Sequence, residues 1–100
     1  MNRMCCSLIA LAMAPAAALA QTTSAVEVPG RLLASNCFQC HGTNGSGGFE
    51  RLAGMSSSEI IKEMQEMRRE NPPEMMDVHA RSYTDAQIKL IADYFAKLAR

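Results

Sequence analysis

The chain has no tryptophan, and only three phenylalanines and two tyrosines in 100 residues. So thin an aromatic inventory limits what apolar burial alone can hold together in a small domain, and a further staple or cofactor is expected at its centre. No charge of either sign is in excess: ten Lys and Arg balance ten Asp and Glu, with no basic block. That excludes a nucleic-acid binder, which needs a basic patch or stripe. No segment reaches the roughly 20 apolar residues of a membrane span. None alternates apolar and polar residues as a half-buried strand does. The length leaves room for one small domain and excludes a Rossmann-type or barrel fold.

What is present starts with a short positive segment, Asn2-Arg3, and an apolar run of ten residues from Cys5 to Ala14. Pro15 and Ala18-Leu19-Ala20 follow, the small–x–small pattern of a signal peptidase site. Residues 1–20 therefore read as a cleaved signal peptide and residues 21–100 as a single exported, periplasmic domain. A lipidated cysteine would follow the apolar run, whereas Cys5 and Cys6 open it. Cleavage leaves nine basic residues against ten acidic ones, and two cysteines, Cys37 and Cys40.

Three helices are expected in the mature chain, giving an all-α fold. Pro29 and the good helix formers Arg31-Leu32-Leu33-Ala34 start a short one that runs into Cys37. Gly42–Gly48 holds four of the six glycines and reads as a loop. Ser56 with Glu59 forms a capping box ahead of Ile60, Ile61, Met64 and Met67, and Asn71-Pro72-Pro73 marks the end of this second helix. Thr84 with Gln87 caps a third, whose apolar stripe is Ile88, Ile91, Ala92, Phe95 and Leu98 and which is expected to reach the chain end. The stretch holding Met75 and Met76 has no clear pattern and reads as irregular.

The chemistry concentrates in Cys37-Phe38-Gln39-Cys40-His41, a C-x-x-C-H motif. Two thiols one helical turn apart can add to the two vinyl groups on one edge of a porphyrin, and the adjacent histidine then reaches the iron. Covalent haem c would also supply the missing core. Three other uses of the same residues stay open. A thioredoxin-like thiol pair would require a βαβ context. A zinc site has only His79 to complete its ligand set. A Cys37–Cys40 disulfide would close a very small loop. Gly45-x-Gly47 lacks the third glycine of a dinucleotide fingerprint, since position 50 is Glu50. The glycine loop is instead expected to bring backbone close to a haem edge. Arg68-Arg69, with Glu66 and Glu70, reads as a solvated helix face.

From Gly30 to Leu98 the chain resembles the class I c-type cytochromes. Gly30, seven residues before Cys37, matches the glycine at which that family's first and last helices cross, and Tyr94 matches its aromatic partner. The resemblance implies a small class I fold with three or more helices around one haem. It also implies a methionine as the second axial ligand beside His41. The family's spacing from this ligand to the last-helix cap, matched by Met76 to Thr84, implies Met76, with Met75 as the neighbouring alternative; Met55, Met64 and Met67 read as packing. Met76…His79-Ala80…Tyr83-Thr84-Asp85, preceded by Leu52-Ala53-Gly54-Met55, is similar to the monohaem cytochrome subunit of flavocytochrome c sulfide dehydrogenase. Ser82 departs from the glycine more frequent there. His79 could compete for the iron, but reads first as a solvated or propionate-contacting side chain. The expected role is single-electron transfer, with no catalytic constellation of its own. The expected partner is a flavoprotein sulfide dehydrogenase subunit, or other redox proteins if the chain is a free-standing soluble carrier.

Overall fold

The computed structural model describes residues 28–100, so the expected signal peptide, residues 1–20, and the lead-in at 21–27 lie outside the described residues. Among the described residues the secondary structure is entirely helical. α1 (Arg31–Ala34) tightens through a 3-10 turn at Ser35–Cys37 into α2 (Phe38–His41), and a second 3-10 turn spans Thr43–Gly45. The longer helices are α3 (Ser57–Met67), α4 (Met75–Arg81) and α5 (Asp85–Ala96).

The backbone enters α1 through Gly30 in the left-handed region, at φ 81°. A Cβ there would stand 2.1 Å from the carbonyl oxygen of Leu90 and 3.2 Å from Cβ of Tyr94. α1 therefore crosses α5 at a separation only glycine permits, at the position expected for the crossing of the first and last helices. α5 is the spine. It packs against both α1 and α3, while α4 lies on α3. Ile88, Ile91, Ala92, Tyr94 and Phe95 on α5 are buried, as the apolar stripe requires. Phe95, fully buried, meets Phe38 and Tyr94 edge-on at ring separations of 6.4 and 5.4 Å.

The Thr84 capping box forms in full, and of the Ser56 box only the Ser56 half forms, without a return bond from the Glu59 side chain. Ser56 Oγ accepts from the Glu59 N–H at 3.2 Å. Thr84 and Gln87 exchange two hydrogen bonds, at 3.2 and 2.9 Å. α3 is further clamped to α5 by Ser57 Oγ, which donates to Asp93 Oδ1 at 2.6 Å, while Lys89 Nζ donates to Asp93 Oδ2. The Lys89 hydrogen bond, and after it that of Ser57, holds the Asp93 carboxyl below its ordinary range.

Three expectations need correction. α3 stops at Met67, before the prolines, because the chain tightens there: Arg69 N–H reaches the Glu66 carbonyl and Glu70 N–H the Met67 carbonyl. Arg68 consequently leaves the helix face and pairs with Asp85. The stretch read as irregular holds α4, whose first turn is closed by the buried Asp77 carboxylate accepting from the Glu74 N–H at 2.6 Å. α5 ends at Ala96, short of the chain end. The tail instead folds back on the 51–54 turn, where Gly54 N–H donates to the Phe95 carbonyl and Arg51 reaches the Ala99 carbonyl.

Gly30→Ala should lower the unfolding free energy by about 2–4 kcal/mol, combining the left-handed backbone penalty with overlap against Leu90. Gly47, with nothing within 4 Å of its would-be Cβ, is the control: Gly47→Ala should change stability little. Guanidinium unfolding of the two variants measures the contrast.

Candidate functional site

The motif residues sit where the first helical stretch ends. Cys37 occupies the N-cap position of α2, Cys40 and His41 its last turn. Both thiols are free and half-buried, and His41 is buried. The glycine loop wraps around this end of the helix. Gly47 N–H donates to the His41 carbonyl and Phe49 N–H to the Cys40 carbonyl, each at 3.0 Å. A Cβ on Gly48, whose φ is 77°, would lie 2.0 Å from the Cys40 carbonyl oxygen. The loop's close approaches are thus to the motif's own backbone and, at Gly45, to the ring of Phe95. Tyr94 adds a strut, its hydroxyl donating to Asn44 Oδ1 at 2.7 Å.

Wrapped in this way, the loop delivers the Glu50 carbonyl to 2.7 Å from His41 Nδ1. A carbonyl oxygen can only accept, so Nδ1 carries the proton and the Nε2 lone pair is left available as a ligand. The ring's tautomer and orientation are set together.

A cleft opens between α2 on one side and α3 and α4 on the other. A narrow cavity of about 40 Å³ is lined by Cys37, Cys40, His41, Met64, Met76 and His79 among others. A deeper space of about 100 Å³ continues over Met55, Ile60, Met64 and Phe95. A mouth of about 400 Å³ opens past Phe49, Met75 and His79. All three spaces meet at His41 and Met76. The four residues selected from the sequence, Cys37, Cys40, His41 and Met76, therefore line one cleft. Met76 is half-buried and packs against the core from the first turn of α4, whereas Met75 is 70% exposed. Buried Met64 and Met55 and half-buried Met67 form the floor, in keeping with their reading as packing.

Asn36 and Tyr83 were not anticipated. Asn36 Nδ2 donates to Tyr83 Oη at 3.0 Å, joining the residue before the first cysteine to the turn after α4. Nothing in the local pattern marks this pair, because its members are 47 positions apart.

The donor chemistry separates the alternatives. Burial, and secondarily the charge of Cys40, pushes the Cys37 thiol up to about 11. Thiol–disulfide exchange needs the opposite shift. Among the described residues, no three His, Cys, Asp or Glu side chains are gathered closely enough to chelate a bare metal ion. A planar, largely apolar group suits the cleft better: its walls are mainly apolar, two thiols stand at one edge, and an imidazole and a thioether line the same space. Haem c fits these residues. No family model and no curated protein matches the chain.

The Asn36–Tyr83 hydrogen bond gives a local test. Asn36→Ala and Tyr83→Phe should each cost about 0.5–1.5 kcal/mol. The double variant should lose no more than the larger single loss, as thermal unfolding of the four proteins would show.

Proposed function

We propose that the chain is a monohaem c-type cytochrome of the class I fold, exported to the periplasm, that passes single electrons. The observation that carries this reading is the bond from His41 Nδ1 to the Glu50 carbonyl, which frees Nε2 in a cleft shared with both thiols and Met76. The close α1–α5 crossing at Gly30 agrees with the class I arrangement.

Bound haem would supply the one-electron couple; the chain supplies its surroundings. Cys37 and Cys40 would hold the group covalently through their sulfurs, and His41 Nε2 and Met76 Sδ would be the side-chain donors to its iron. Thioether ligation favours the reduced iron and raises the potential. Met64, Ile60 and Phe95 keep water from the inner edge, since all three are buried beneath the cleft. With His41 and Met76 both committed to holding the group, the chain would offer no side chain for a substrate, and on this reading it is a carrier with no catalytic activity alone.

The partner reading is the electron-accepting subunit of a flavocytochrome c sulfide dehydrogenase, docked to its flavoprotein subunit. In its favour, Phe49 is 88% exposed and Met75 70% exposed, both lining the cleft mouth, with exposed Val78 also on α4. Large apolar side chains around a redox edge suit a standing complex better than a brief polar encounter.

Acid–acetone extraction should leave haem on the polypeptide; release of free haem would defeat the proposal. Met76→Ala should abolish the sulfur-to-iron charge-transfer band of the oxidised protein and lower its potential, while Met75→Ala should leave both unchanged. In stopped-flow mixing of the native complex with sulfide, the haem should be reduced after the flavin at a rate independent of complex concentration. A native protein that purifies as a monomer without flavin would instead be a free-standing soluble carrier.

A further inference from the structure

We propose that His79 is a reserve axial ligand: a second imidazole, one helical turn from Met76, able to take the iron position that Met76 otherwise holds. The inference rests on the haem reading above. The full sequence contains two histidines, and both line the same narrow cavity as Cys37, Cys40 and Met76. His79 also lines the wider mouth alongside Met76, so the two side chains share both spaces. Positions 76 and 79 share a face of α4, and helical side chains lean toward the N-terminal turn. The imidazole therefore leans back over the turn that carries Met76.

Little holds the ring where it is. His79 is exposed, and among the described residues its side chain has no hydrogen-bond or ion-pair partner. α4 itself is seven residues long, and the chain entering it, residues 69–75, is exposed throughout. Short helices with exposed approaches open at low cost and can shift by a turn against their neighbours. At its far end α4 is tied back through Tyr83 to Asn36 and through Arg81 to the Glu70 carbonyl, whereas its first turn is closed only on itself, by Asp77 on the Glu74 N–H, with no hydrogen bond to another element among the described residues.

The exchange is balanced. One neutral two-electron donor, the thioether, leaves the iron as another, the imidazole nitrogen, arrives, and the iron's oxidation state does not change. Two imidazoles lower the potential relative to a histidine–methionine pair. The oxidised protein with His79 bound would accept electrons less readily, so the chain carries within one helix both a high-potential and a low-potential ligand.

The test uses the oxidised holoprotein and added imidazole as the probe. Met76→Ala should stay low-spin by electron paramagnetic resonance, with the signature of two imidazole ligands. Met76→Ala/His79→Ala should be high-spin and bind added imidazole at least about tenfold more tightly, because no internal ligand competes. A high-spin Met76→Ala protein that binds imidazole as tightly as the double variant overturns the proposal. If Met76→Ala folds poorly, mild guanidinium on the parent protein serves. Loss of the charge-transfer band should lead to a second low-spin form, and in His79→Ala directly to a high-spin one. A parent protein that goes directly to high-spin under these conditions also overturns the proposal. If Met76→Ala keeps the charge-transfer band, the Met76 assignment fails and the reserve role falls with it. If no haem is retained, the haem reading itself fails.

Discussion

A histidine one residue beyond a helical cysteine is a flexible ring with two chemically different nitrogens, and the use of this cleft depends on which of them faces it. The Glu50 carbonyl, 2.7 Å from Nδ1, decides that. Its position follows from a loop that folds tightly over the end of α2, where a side chain at Gly48 would run into the Cys40 carbonyl. Were that loop lifted, the ring could rotate or carry its proton on the other nitrogen. The glycines, the carbonyl and the ring act as one unit, and the cleft is arranged around it.

The remainder of the molecule holds that unit in a small amount of packed material. Among the described residues the largest side chains fully out of water are Phe95, Ile88 and Ile91, all of them on α5. α1 and α3 are brought to that helix by different means: backbone-close contact at Gly30 for the first, and Ile60, Met64 and the Ser57–Asp93 bond for the second. α4 relies on α3, on Arg81 donating to the Glu70 carbonyl, and on the tie from Tyr83 to Asn36. A chain so sparsely filled gains from any large apolar group that occupies the space between α2 and α3, which links the thin aromatic inventory to the presence of the cleft.

Much of this was legible in the residues. Thr84 with Gln87, and Ser56 ahead of Glu59, are local signals, since a cap depends on side chains three positions apart. The stripe on α5 and the C-x-x-C-H motif are equally local. What escaped was either non-local or carried by backbone. Glu74 is not a usual cap, so α4 is visible only once Asp77 is seen to fold back onto the Glu74 N–H. The partner of His41 is a main-chain carbonyl nine residues on, to which the identity of the side chain contributes nothing. Asn36 and Tyr83 meet because two helical segments converge, a consequence of tertiary packing. The early end of α3 lies in backbone bonds that tighten the chain after Met67, and that of α5 accompanies a contact with another segment, the Gly54 N–H on the Phe95 carbonyl.

The meeting of α1 and α5 at Gly30 and Leu90 joins positions near the two ends of the folded region. Everything between them is, in polymer terms, one large closed ring pinned at its neck. Once the neck is closed, lengthening an exposed part of the ring is inexpensive, since doubling a flexible loop costs only about 0.6 kcal/mol of closure entropy. The run at 69–75, exposed at every position, is such a part. Insertions and deletions there would leave the pinned neck and the wrapped histidine untouched while changing the reach of α4. Length variation at this one point is thus a route by which evolution can retune the cleft without rebuilding the fold.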